Sequence, residues 1–377
     1  MVRRRVLVAY HSQGPMFFGD KIRNKEILNI LKNNHFEVFE ACLPTITRWE
    51  VGKSLFTIFP LHSRIMRIYS RRDFLQWLQW NSSINSLKRT IQRTNPDVVL
   101  AETSSVGWIA TYVCNELSTP CIVDCHGLVF AETKGKGYDN WRQVKRLEKE
   151  TFTKCDYLSV VSKRMKDYIQ RKFGIPANKI IITPNGTRPQ HFTAQYKSPL
   201  KAIYAGTFAY WERVHDFLDL AKQANQKIKF YMAGAGPLKK QLLKKIEKEK
   251  IPVTYLGYIP RQKIFATLSK MQIGIAPSTK DLTRVVASPI KVFDYMASGL
   301  PVITPRIGDW GDLINDEDCG IALDDDSIEK YLEALNILAG KDTWTRKSLN
   351  AIRVIEEKHS WDKALQPLVN LLSNIAK

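Results

Sequence analysis

Short apolar runs of strand length alternate with helical patterns along almost the whole chain, and the alternation starts twice. In the first half the spacing predicts strands at residues 6–10, 37–40, 98–101, 121–124, 157–161 and 180–183, with the clearest helices at 24–33 and 106–116. In the second half it predicts strands at 202–205, 229–233, 253–256, 273–276 and 302–304. Helices fit 214–223, 238–249, 262–270, 290–297 and 328–338. Strands that alternate with helices form parallel sheets covered on both faces. The pattern lapses over 184–200, which holds Pro184, Pro189 and Pro199, and the domain junction is expected there. The chain therefore reads as α/β, with two doubly wound, Rossmann-like domains that bind ligand in a cleft between C-terminal strand edges.

Charge narrows the partner. The 377 residues carry a formal net charge of +20. Residues 1–200 hold 31 Lys and Arg against 16 Asp and Glu, and the remainder 26 against 21. A basic first half calls for an anionic partner. One segment stands outside the alternation: residues 46–93 carry Arg48, Lys53, Arg64, Arg67, Arg71, Arg72, Lys88, Arg89 and Arg93 among seven aromatics, Trp49 to Trp80. Such interleaving suits an anionic membrane surface or a lipid-linked phosphate acceptor. It also suits aromatics that face the domain core with the arginines in water, or a nucleic-acid strand, the least favoured of the three. No run of 18 apolar residues is present, and the start MVRRRVLVAY is too short for a secretory signal. The six cysteines lack metal spacing and read as reduced thiols. The expectation is a cytoplasmic protein, peripheral on the cytoplasmic membrane face.

Several turns carry candidate chemistry. Gly206-Thr207 follows the strand at 202–205, with Arg213 at the start of the next helix. A glycine there lets backbone approach a phosphate. Gly234 and Gly236, then Gly257-Tyr258-Ile259, repeat the strand-then-turn layout, so the three turns should line one sheet edge. His126 follows the strand at 121–124 and projects toward the expected cleft, and His11 follows the first strand. The stretch SPIKVFDYMASGLPVITP starts a helix at Ser288-Pro289-Ile290, with Lys291 and Asp294 three apart. First-turn amides suit a diphosphate, and a first-turn lysine that opposes the helix dipole makes sense beside an anion. The plainer alternative is a surface Lys–Asp pair. Asp316-Glu317-Asp318 and Asp324-Asp325-Asp326 read as solvated loops and not as a metal site. The sequence contains no P-loop, no Gly-x-Gly-x-x-Gly after the first strand and no Gly-x-Ser-x-Gly elbow, which argues against those nucleotide and hydrolase chemistries.

In order along the chain, CDYLSVVSKRMKDYI, ITPNGTRPQHF, YAGTFAYWERVHDFLDLA, FYMAGAGPLKKQL, VTYLGYIPRQKIFATLSKMQIGIAPS and SPIKVFDYMASGLPVITP resemble the GT-B-fold retaining glycosyltransferases of family four, group 1 type. The resemblance implies an acceptor-side domain at 1–190, a donor domain at 191–359 and a helix at 360–377 that crosses back to the first domain. It implies a nucleotide-sugar co-substrate, UDP- or GDP-linked, and no metal. By the same resemblance the diphosphate is held by Gly14, Gly206, Thr207, Arg213, Ser288, Pro289, Ile290 and Lys291. Asp294 holds the ribose, Gly257, Tyr258 and Ile259 the base, and His126 the transferred sugar. Two positions depart from the family pattern: Val286 stands where the first glutamate of a Glu-x7-Glu pair is usual, and Thr207 where an arginine is usual. Front-face departure with retention is expected, since no protein nucleophile is evident. The alternatives are a nucleotide-sugar epimerase of the same architecture and a nucleic-acid-binding module without catalysis.

Overall fold

A computed structural model of the chain describes residues 4–11, 19–43, 71–191, 193–224 and 228–375. Gly14 and residues 46–70 lie outside the described residues, as do the side chains of His11 and of 71–79. Two compact units result, one of Met1–Thr183 with Leu365–Lys377, the other of Pro184–Ala364.

The first unit is a parallel sheet in the order β2-β1-β3-β4-β5-β6. Its strands are β1 Arg5–His11, β2 Glu37–Leu43, β3 Val98–Glu102, β4 Cys121–Cys125, β5 Tyr157–Val160 and β6 Ile180–Ile182. Every residue of β3 and β4 is buried, as expected of central strands covered on both faces. Within the basic segment at 46–93, Arg71–Thr94 is one helix. Trp80 is in the core, edge-to-face with Trp108 at 4.8 Å, and Leu87 and Ile91 are buried with it. Arg89 and Arg93 are exposed. Apolar residues a turn apart thus put this helix against the sheet with Arg89 and Arg93 outward.

The second unit repeats the plan in the order β12-β11-β10-β7-β8-β9. Its strands are β7 Leu200–Thr207, β8 Ile228–Ala235, β9 Val253–Tyr255, β10 Ile273–Ile275, β11 Val302–Pro305 and β12 Gly320–Leu323. The chain leaves β7 toward β8 and β9 and returns on the other side to β10. The topological switch therefore lies between β7 and β10, where such sheets open a crevice at their C-terminal ends. The edge strand β12 was absent from the sequence reading. Its four residues are too few to show a period beside two acidic runs, and Gly320 is what allows the pairing: a Cβ there would stand 2.1 Å from the Val302 carbonyl oxygen.

All six cysteines are free thiols and only Cys42 is exposed. Among the described residues no helix is long and apolar enough to cross a membrane.

Candidate functional site

The helix Ile290–Ala297 is fixed over the β7–β10 switch by its buried face. The Tyr295 hydroxyl accepts from the Ala205 amide at 2.7 Å and donates to the Ala205 carbonyl at 3.2 Å. Gly274 in β10 makes room for that ring, since a Cβ would stand 2.5 Å from it. The first turn is thereby laid over the end of β7. A Cβ on Gly206 would lie 3.2 Å from the Lys291 Cδ, so the absence of a side chain at Gly206 leaves space for the lysine. No side chain caps the helix at Pro289.

Lys291 and Asp294 do not form the plain surface pair; each is engaged elsewhere. The Lys291 ammonium pairs with Glu212, which is buried, and lies 4.7 Å over the Tyr204 ring. Arg284 Nη1 stands 3.7 Å from the same glutamate. Burial opposes the Glu212 charge, but Lys291 and Arg284 outweigh it and hold the carboxyl below its usual range. Burial, aided by Arg284, pulls Lys291 below the usual lysine value despite its glutamate partner.

Asp294 is buried and faces the other way. Its Oδ1 accepts from Thr187 Oγ1 at 2.7 Å and from Arg261 Nη2 at 2.8 Å, and its Oδ2 pairs with Arg261 Nη1. The segment before it is tied in at the same place. The Asn185 amide donates to Ser288 Oγ at 3.0 Å and its side chain to the Ser288 carbonyl at 2.6 Å. Gly186 passes so close to His359 that a Cβ would meet its carbonyl oxygen at 2.8 Å. The Asn-Gly-Thr run at 185–187 thus sets the height of the helix start.

The three turns of the sheet edge do converge. Gly234 has φ +140°, and a Cβ there would lie 1.9 Å from the Gly206 carbonyl oxygen. Its amide donates to the Gly257 carbonyl at 2.9 Å. Tyr258 is exposed beside it, and Ile259 packs on the core cluster. Thr207 accepts from the Tyr204 hydroxyl at 2.7 Å. Arg213 sits at φ +42° before the next helix, 2.6 Å from Asp216, and it also pairs with Asp326.

In the first unit His126 follows β4. Its Nε2 is 2.6 Å from Asp124 Oδ2. Asp124 is fully buried, bound by Arg23 through Nε and Nη2 at 2.8 Å each and by Ser159 Oγ at 2.6 Å. Burial opposes its charge, yet Arg23 and His126 hold the carboxyl far below the usual range. An ionised carboxylate that is itself fixed by a buried arginine sets the orientation of the imidazole.

The acidic loops are ion-paired: Glu317 with Arg353 and Lys358, Asp318 with Arg346 and Lys347, and Asp326 with Arg213 and Lys280. Among the described residues no group of three His, Cys, Asp or Glu is placed to hold a metal ion.

Comparison with known proteins decides the family. The profile described as Glycosyl transferases group 1 matches residues 199–340, and that described as Glycosyltransferase Family 4 matches residues 47–191. The chain belongs to the group 1 glycosyltransferases of family four. A curated relative, the chitobiosyldiphosphodolichol beta-mannosyltransferase of Eremothecium gossypii, is 24% identical over 56% of this chain and 51% of its own. The chain thus spans about half the length of that relative. Among solved structures, sucrose-phosphate synthase from Thermosynechococcus elongatus superposes with a TM-score of 0.80 over 99% of both chains at 13% identity. Anabaena HepE, solved with UDP-glucose, gives 0.70 over 98% of this chain and 99% of its own, also at 13% identity. These superpositions show the GT-B fold.

Within this chain, sequence reasoning passed over Glu212, Arg261, Arg284, Asn185 and His359. Glu212 and Arg284 gave a faint signal, being charged residues next to positions already singled out. His359 gave none. Its ring stacks on Phe293 at 4.6 Å, and burial pushes its pKa down from 6.5 to about 4. Between those values the unfolded chain binds a proton there that the folded chain does not, so stability falls as pH drops from 6.5 to about 4. Glu148 in the first unit has the opposite slope. Burial raises it from 4.5 to about 7 although the Val129 and Phe130 amides and Ser104 donate to it, so its contribution falls as pH rises through that interval. His359→Phe, which keeps the aromatic stack, should lose about 2 kcal/mol less stability than wild type between pH 6.5 and pH 4. Urea titrations at stepped pH read this difference, and parallel curves for the two proteins would count against it.

Proposed function

We propose that the protein transfers a sugar from a nucleoside-diphosphate sugar, UDP- or GDP-linked, to a lipid-linked acceptor at a membrane face, with retention of configuration and without a metal. The observation that carries the reading is the meeting of Gly206 with the first-turn Lys291 at the β7–β10 switch point. There, helix amides and a cation are gathered for an anion. In this reading Ser288, Pro289, Ile290, Lys291, Gly206, Thr207 and Arg213 serve the diphosphate, helped by the loop at Gly14. Asp294 serves the ribose, and Gly257, Tyr258 and Ile259 the base. His126 serves the sugar. Charge stabilisation on the leaving diphosphate supplies most of the rate, and that phosphate takes the acceptor's proton.

The name of the curated relative favours a second stereochemical reading. A beta-linked product made from an alpha-linked donor requires inversion, with a side chain as the base. Thermal shifts against UDP, GDP and ADP and their sugar conjugates should single out one nucleotide. The anomeric proton coupling of the product, read by NMR, then separates retention from inversion. Unchanged turnover in EDTA is expected, and loss of turnover restored by a divalent ion would refute the metal-free route.

The lipid-linked acceptor is favoured by the dolichol diphosphate in that relative's name and by the charge of residues 46–93. Each Lys or Arg near an anionic surface is worth about 1 kcal/mol. Co-sedimentation with vesicles containing anionic lipid should therefore exceed that with neutral vesicles and weaken with salt. Equal binding to both vesicles, or none to either, would remove the membrane part of the proposal.

A further inference from the structure

The Glu212–Lys291 pair leaves one member of its cluster unbalanced. Arg284, whose guanidinium is a cation, is 8% exposed. Its Nε donates to Ser278 Oγ at 3.0 Å. Its Nη1 is 3.7 Å from Glu212, outside hydrogen-bond distance, and its Nη2 is buried without a hydrogen-bond partner. The residue is held in place from behind: the Trp310 indole donates to the Arg284 carbonyl at 3.3 Å, and the guanidinium carbon is 5.9 Å from the Trp310 ring. The buried Arg284 and the partly exposed Lys291 thus share one carboxylate, and one guanidinium nitrogen has no acceptor. Buried guanidinium donors are rarely left so, because the desolvation cost is uncompensated. The location is equally specific. Ser278 follows β10, Lys291 lies over the end of β7, and the switch point of the sheet is between them.

We propose that Arg284 is a further donor-binding cation, which takes an oxygen of the nucleoside diphosphate through Nη2, while Glu212 balances Arg284 and Lys291 until the diphosphate arrives. This inference rests on the donor-site reading above. An anion with several oxygens answers both the surplus charge and the unmatched donor. Glu212 then acts against the ligand, so that its removal tightens binding while the removal of Arg284 weakens it. Arg284 touches the substrate's leaving group; Glu212 is a positioning residue.

The test is calorimetry with UDP and UMP, and with GDP and GMP in parallel, on wild type, E212Q, R284Q and the double variant E212Q/R284Q. The double variant removes both charges and avoids stranding a buried carboxylate. Expected are a loss of about 10- to 100-fold in diphosphate affinity for R284Q, a smaller loss for the monophosphate, and a gain of about 3- to 10-fold for E212Q. Relative to E212Q, the double variant should again lose about 10-fold or more. If wild type binds a diphosphate and the double variant binds it as tightly as E212Q does, Arg284 only balances Glu212 and the proposal is overturned. If wild type binds neither UDP nor GDP, the donor-site reading falls first and the proposal with it.

Discussion

His126→Ala should slow sugar transfer about 100-fold or more, with nucleotide affinity almost unchanged. The argument begins at the carboxylate behind it. Asp124 keeps three donors after the substitution, two from Arg23 and one from Ser159. The buried charge is not stranded, and the fold should survive. What disappears is an imidazole held in one orientation at the end of β4 by a 2.6 Å contact. A group that acts on the transferred sugar reports in turnover, whereas one that only fills space reports in stability. Single-turnover rates with the nucleotide sugar identified by thermal shift, beside nucleotide calorimetry and a denaturation curve, separate these. Normal turnover in a destabilised protein would make His126 structural.

Asp294→Ala should weaken nucleotide binding roughly 10- to 150-fold, as the loss of charge-assisted ribose hydrogen bonds worth about 1.5–3 kcal/mol. The network around it sharpens the expectation. A carboxylate accepts about four hydrogen bonds, and Thr187 and Arg261 already supply three. Ribose binding must therefore use the remaining site or displace Arg261, whose side chain is 31% exposed and can turn to water. Arg261→Gln, on this account, leaves affinity the same or higher, while Asp294→Asn, which keeps one acceptor oxygen, falls between wild type and alanine. Calorimetry with the cognate nucleotide on folded variants decides. An unchanged dissociation constant in Asp294→Ala would confine the residue to packing, tying the 290–297 helix to Arg261 and Thr187.

The sheet strands and the helices Val214–Gln223, Ile290–Ala297 and Ile328–Leu338 were legible because each is an apolar period bounded by a turn residue, and period and turn chemistry are local properties. Strand β12 was not legible, because four edge residues between charges carry no period of their own. Gly206, Gly234 and Gly257 could be read as one edge, since parallel strands bring successive C-terminal turns to the same side. Lys291 and Asp294 could be recognised as misplaced for a surface helix, but their partners could not. Glu212 and Arg261 lie far away in sequence and reach the helix only because the turns that follow β7 and β9 come to the same C-terminal edge of the sheet.

The sequence by itself determined the two repeated parallel sheets, the family and the turns that share one edge of the second sheet. Those follow from local periodicity, glycine positions and the order of motifs. Only the tertiary structure decided which charges meet. Arg213, the cation nearest the expected phosphate loop in sequence, is drawn to Asp216 and Asp326, while Arg284 is brought beside Glu212 and Lys291. Electrostatic pairing depends on distance and burial in space, and neither is a function of separation along the chain.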